Sequence, residues 1–317
     1  MVLHSAPSMA AVAVGASRRR RLRYVTERRG FLATLLIAPA VIFIGALVAV
    51  PLGLAIYLSF TDATAGSLSG PWVGLANFRH ELNDPIFVDA IWHTFLFTVI
   101  SQAVVVLCAG LLAHALVHQF PGRWFFRFLV LLPWAAPIAL SAIGFLWFYD
   151  TQASIFTWFL IKLHLVSATN RPSWLGTPRA AMSSIITVQA WRTIPFATVI
   201  FLAGISSIPQ EVDDAAAIDG ATGLRKFWYV SLPLQLPIAL VAILFGIVFT
   251  ATDMVVPYIL TAGGPFNSTQ VLTTWAFQTG INAGNIGEGA AIALFMLPLL
   301  AFVTILMLFF ARRAEVT

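Results

Sequence analysis

Ile208-Pro-Gln-Glu-Val-Asp-Asp-Ala-Ala-Ala-Ile-Asp-Gly-Ala-Thr-Gly-Leu-Arg-Lys-Phe-Trp-Tyr-Val-Ser-Leu-Pro233 is a long, polar, patterned segment between apolar runs. Ser207 can cap a helix here, and Pro209 suits its first turn. Glu211, Asp213 and Asp214 then lie near the positive end of that helix. Ala215, Ala216 and Ala217 give it a body with little side-chain bulk. Gly220 can take a positive φ, which ends the helix and turns the chain. A second short helix, from about Leu224 to Val230, holds Arg225, Phe227, Trp228 and Tyr229, and Pro233 is expected to stop it. The product is a projecting helix–turn–helix with a thin alanine face, an acidic rim that includes Asp219, and an aromatic base. That shape suits a cleft in another protein. The other reading is a loop that packs on its own bundle.

What flanks the segment is apolar. The chain has 317 residues, 59% hydrophobic and 10% charged, with a mean hydropathy of +0.89. Soluble chains are about a quarter charged, and this much apolar surface needs a bilayer as its solvent. An all-α polytopic membrane protein is therefore expected. A span needs about 20 apolar residues, and six runs qualify: Phe31 to Phe60, Ile91 to Val117, Phe126 to Tyr149, Ala181 to Ile205, Pro237 to Leu260 and Gly289 to Ala311. Prolines inside them are tolerable, because neighbouring helices satisfy the freed backbone groups. The first run is too long for a cleaved signal core and should be retained. The expected organisation is a basic tail over 1–30, the first span over 31–60, an outer loop over 61–90, a core over 91–311 with the polar loop at 206–236, and a tail over 312–317.

Charge sets the orientation. Arg18, Arg19, Arg20, Arg21, Arg23, Arg28, Arg29, Arg123, Arg127, Arg225, Lys226, Arg312 and Arg313 all fall on one side of six spans. The other side holds only Arg79, Lys162, Arg171 and Arg179. Both termini and the 206–236 loop are thus expected in the cytoplasm. This asymmetry accounts for the +5 net charge, so no nucleic-acid partner is implied. The short apolar patch Met9 to Ala16 cannot span. The lone Cys108 excludes an internal disulfide.

Asp214-Ala-Ala, Gly220 and Val230-Ser-Leu-Pro233 resemble the EAA loop of binding-protein-dependent ABC importer permeases. That pattern is E-A-A, three residues, G, nine residues, then I-x-L-P. The spacing agrees throughout, with Asp for Glu at 214 and Val for Ile at 230. Trp72-Val-Gly-Leu-Ala-Asn-Phe78, Trp191-Arg-Thr-Ile-Pro-Phe196, Leu202-Ala-Gly-Ile-Ser-Ser-Ile-Pro209 and Leu260-Thr-Ala-Gly-Gly-Pro265 with Ser268-Thr269 are similar to segments of sugar permeases of the MalF and UgpA kind. The resemblance implies a type I ABC importer permease fold in a bacterial or archaeal plasma membrane. It also implies a second permease (a paralogue more often than a copy), two cytoplasmic ATPases docked on the loops, and an external solute-binding protein. The ATPases would use ATP and Mg, and this chain would bind no cofactor. The implied solute is a disaccharide or oligosaccharide such as trehalose or maltose, or a glycerol-phosphate ester.

Arg192 lies about 16 Å into the fourth run at 1.5 Å per residue, near the bilayer centre. A charge there is a functional candidate. It can pair with Asp253, touch solute, or do both. Gln189, Trp191, Thr193, Thr250, Thr252, Asp253 and Tyr258 are the polar and aromatic groups near this depth, and Trp134, Trp147 and Tyr149 are further candidates. Sugars need such a mix of hydrogen-bonding groups and flat rings. His114 and His118 stand at i, i+4 but lack a third ligand, so no metal site is expected. The Gly280 to Gly289 stretch reads as a mobile outer loop. There is no G-x-x-x-x-G-K-[ST], G-x-S-x-G or H-E-x-x-H. No catalytic residue is assigned, and the energy must come from a partner. A secondary transporter driven by an ion gradient is the alternative; it predicts interrupted helices in corresponding halves.

Overall fold

The computed structural model describes residues 29–315 apart from residue 68. Arg18, Arg19, Arg20, Arg21, Arg23, Arg28 and the Met9 to Ala16 patch lie outside the described residues. The chain forms two units, Met1–Tyr57 and Leu58–Thr317. The described part of the first belongs to one apolar helix, α1 (Arg29–Ser59), whose last two residues fall in the second; it holds Pro39 and Pro51.

The second unit is helical. Among the described residues of the whole chain, α1 included, five helices are long and apolar enough to cross a membrane, six when a bent pair counts as one span. After α2 (Ala76–Asn83), α3 (Pro85–Val117) begins six residues ahead of the expected position 91. Asp84 Oδ1 accepts from Ile86 N at 2.7 Å, and Pro85 takes the first turn, where its missing N–H costs nothing.

The third expected span is not one straight helix. α4 (Arg123–Ala135) and α5 (Ile138–Phe148) meet at 96°. Pro137 is the cause, since it forces Ala136 into an extended conformation (φ −73°, ψ 140°). Then come α6 (Ile155–Lys162) and α7 (Pro178–Ser206). α7 is the central helix and makes its most extensive contact with α3. Ala109 and Ala113 of α3 meet Ala190 and Ala197 of α7 in one buried patch. In lipid, small residues of this kind let backbones approach and dispersion forces hold them.

Past α7 the local expectations need three corrections. Ser207 does not cap the next helix; its hydroxyl donates back to Gly204 O at 2.8 Å, and Pro209 is the N-cap of α8 (Gln210–Ile218). The second loop helix does not stop at Pro233. α9 (Gly223–Lys226) passes through a π turn (Phe227–Ser231) into α10 (Leu232–Ala251), because Pro233 falls in the first turn of α10. The fifth span also breaks at Thr252–Met254, before α11 (Val255–Thr261).

After α12 (Leu272–Phe277) and a second π turn (Gln278–Asn282), α13 (Ile286–Leu294) and α14 (Met296–Glu315) complete the described residues, separated only at Phe295. Gly280 to Gly289 is not an open loop. A Cβ on Gly289 would stand 2.4 Å from the Gly280 Cα, and one on Gly287 would stand 2.1 Å from Thr61 O. These glycines serve close backbone packing.

Candidate functional site: an exposed helix–turn–helix and a part-buried ion pair

The loop is built by its own backbone. Gly220 has φ 74°. Its N–H donates to Ala217 O at 3.1 Å, and Ala221 N donates to Ala216 O at 2.8 Å. Together they form a Schellman ending that satisfies two of the last carbonyls of α8. Glu211 and Asp213 occupy the first turn. Lys226 Nζ lies 2.9 Å from Asp213 Oδ1 and ties the two short helices together. Gln210 Nε2 donates to Asp214 Oδ1 at 3.0 Å.

Two contacts seat this unit. Ala216 is buried, and the Phe227 ring meets the His114 ring edge-on at 5.1 Å. So His114 packs on the loop, and its Nδ1 lies 2.9 Å from Gly110 O. Glu211, Asp214, Ala215, Asp219, Gly220, Arg225 and Pro233 stay exposed. Ile218 is 87% exposed and Tyr229 78%, which leaves an apolar face with no partner among the described residues.

Near the middle of α7, Arg192 Nη1 is paired with Asp253 Oδ2, at the break between α10 and α11. Asp253 does more than neutralise the arginine. Its Oδ1 accepts from Val256 N at 3.1 Å and so starts α11, and its carbonyl accepts from Thr273 Oγ1 at 3.0 Å. The carboxylate therefore holds the helix break together.

The other path candidates divide. Gln189 is fully buried, with Nε2 3.4 Å from Thr250 Oγ1. Trp191 stands edge-on to Phe145 at 5.1 Å. Tyr258 stands edge-on to Phe277 at 5.0 Å and accepts from Asn282 Nδ2 at 3.3 Å. Thr252 is exposed, its hydroxyl bonded to Val248 O.

Sequence reasoning named Gln189 but missed the polar groups of α3 that form a seam beside it. Thr98 Oγ1, Ser101 Oγ and both amide atoms of Gln102 on α3, with Gln189 Oε1 on α7, are buried and make no hydrogen bond to described residues. Buried polar groups in a bundle need a partner. Position within an otherwise apolar run was the only available signal for Gln102.

The end of the bundle away from the loop is capped by contacts between distant segments. Asn77 Nδ2 donates to Ser59 O and Thr61 O, each at 2.9 Å. This gives the asparagine of the Trp72 to Phe78 stretch a structural reason. Trp275 Nε1 donates to Glu81 Oε2 at 3.0 Å. Burial raises the Glu81 pKa above the usual carboxylate range, the Trp275 bond opposes that shift, and the Glu288 charge adds to it.

A multi-span helical bundle with an exposed helix–turn–helix between its fourth and fifth spans, and no phosphate loop, has the architecture of an ABC importer permease. Residues 106–316 match the family described as binding-protein-dependent transport system inner membrane component, and the chain belongs to that family. It is 30% identical to the sulfoquinovosyl glycerol transport system permease protein SmoG of Agrobacterium fabrum, over 90% of this chain and 91% of that one. It is 31% identical to the trehalose/maltose transport system permease protein MalF of Thermococcus litoralis, over 91% and 95%. Its fold is similar to a chain in the crystal structure of a bacterial ABC transporter involved in the import of the acidic polysaccharide alginate. The TM-score there is 0.77 at 20% identity, covering 92% of this chain and 99% of that one. The chain is a non-catalytic, multi-pass membrane subunit, and nothing in these relationships supports a transporter driven by an ion gradient.

Proposed function

We propose that this chain is one of two permease subunits, paired with a paralogue, that together form the path of an ATP-driven importer for a neutral disaccharide or small glycoside of the trehalose or maltose kind. Both termini and the 206–236 loop face the cytoplasm, where two ATPases dock and hydrolyse ATP with Mg. An external binding protein delivers the solute. ATP binding draws the loops together and opens the permeases outward; hydrolysis resets them.

The observation that carries the proposal is the docking unit: two short helices fixed to each other by the Gly220 turn and the Lys226–Asp213 pair, with Ile218, Ala215 and Tyr229 bare. A rigid element with an open apolar face transmits a push. The preference for a neutral solute comes from Arg192, whose charge is taken up by Asp253 and is not free for a phosphate.

In proteoliposomes holding the full transporter, ATP-dependent trehalose uptake should fall at least tenfold in Ile218→Asp, with the ATPases lost on purification. Normal uptake in that variant would refute the docking role. Binding of glycerol phosphates but not disaccharides by the cognate external protein would refute the choice of solute.

A further inference from the structure

His80 and Glu81 lie in the last turn of α2, and Glu288 lies in the first turn of α13, in the cap at the end away from the docking loop. One ligand atom from each of the three comes within 4.8 Å of the other two. His80 Nε2 is 3.9 Å from Glu288 Oε1.

The two carboxylates are held alike. Trp275 Nε1 donates to Oε2 of Glu81 at 3.0 Å, and Asn285 Nδ2 donates to Oε2 of Glu288 at 3.2 Å. In each, Oε2 is held by a neutral donor, and Oε1 of Glu288 is the oxygen that faces His80 Nε2. Neutral donors that orient carboxylates from behind are what metal ligands have around them. The charged groups acting on Glu81 are Glu288, Asp84 and His80, with no lysine or arginine among them. Glu81 is 1% exposed, so its carboxylate is withdrawn from water without a strong counter-charge.

We infer that His80, Glu81 and Glu288 bind one divalent transition-metal cation, of the kind that accepts one imidazole and two carboxylates. Ligand atoms around such an ion stand about 3.3 Å apart, given bonds of about 2.0–2.2 Å. Side-chain rotation of about 1 Å, chiefly at the exposed His80, closes the set. Solvent takes the remaining position, since His80 opens the site outward. The ion would clasp the segment after α1 to the start of α13 and cancel the repulsion between Glu81 and Glu288. This goes beyond the transport role and stands whatever the solute.

The test uses the full chain in lipid nanodiscs, stripped with a chelator and then titrated with Zn2+ against a fluorescent zinc indicator. Wild type should bind one more zinc than the double variant His80→Ala/Glu288→Gln, and each single variant should weaken that zinc at least tenfold. Wild-type protein should also gain thermal stability with Zn2+, and His80→Ala should not. The His80 side chain is 64% exposed, so His80→Ala keeps the test alive if Glu288→Gln disturbs the fold. Equal zinc binding in wild type and His80→Ala would overturn the site, as would a wild type no better than the double variant.

Discussion

The docking loop and the opposite cap are both polar, yet they are built in contrary ways. In the loop, most hydrogen bonds join residues three to five apart, as in Gly220 to Ala217 and Ala221 to Ala216. In the cap they join residues far apart: Trp275 to Glu81, Leu272 to Thr94, and His93 with Gln270, at separations of 194, 178 and 177 residues. One region is a self-contained module that leaves its outer face free. The other is a knot that ties the segment after α1 to everything after α11. A surface that must exchange contacts with a partner during a cycle gains from the first design. A region that must stay closed over a bundle gains from the second. It follows that substitutions in the cap should cost stability, whereas substitutions in the loop should cost assembly and transport.

The largest effect is expected at the ion pair that joins α7 to the start of α11. Arg192→Ala leaves Asp253 buried and unpaired while it still starts α11 and holds Thr273. The cost should be about 3–5 kcal/mol in an SDS unfolding titration. Arg192→Ala/Asp253→Asn should recover part of that, and a double variant no better than the single would show that the ion pair is not the source. Next is Gly289→Val. Its Cβ would meet Gly280 Cα at 2.4 Å, so α13 and the second π turn must separate. About 3 kcal/mol is expected, read as a lower unfolding midpoint. Asn77→Ala should cost about 2 kcal/mol, because the Ser59 and Thr61 carbonyls lose their shared donor.

The same contrast explains what could be read before the fold was seen. Gly220, the alanines and the first-turn acids act within one helical turn of themselves, so their pattern is visible in a single stretch. Arg192 and Asp253 stood out because charge is rare within spans. The break at Thr252–Met254 did not, because hydropathy runs on past it into Val255 and Val256. The 96° bend at Pro137 was hidden for a related reason: tolerable and helix-breaking prolines look alike until their neighbours are placed. Nothing local marks Glu81, Trp275 and Glu288 as companions. The Gly280 to Gly289 stretch looked loose because glycine permits both mobility and close approach, and only the facing backbone separates the two.

In the loop the order of effects should reverse. Gly220→Val puts a β-branched residue at φ 74° with nothing within 4 Å to clash against. The penalty is conformational, about 1–2 kcal/mol, and local to the turn. The unfolding midpoint should move little while transport and ATPase retention fall. A loss of stability as large as that of Gly289→Val would erase the distinction between the two regions.

The finest discrimination comes from Lys226→Ala. The Lys226 and Asp213 side chains are each about a third exposed, at 32% and 33%. Screened by solvent, such a pair contributes less than about 0.5 kcal/mol to stability, so the unfolding curve should overlay that of wild type. Yet this pair fixes the second loop helix against the first, and a docking unit must move as one body. Uptake should therefore drop several-fold with the subunits still assembled, and Lys226→Arg should restore it. If Lys226→Ala transports like wild type, the Gly220 turn alone sets the loop's rigidity, and the salt bridge is incidental to coupling.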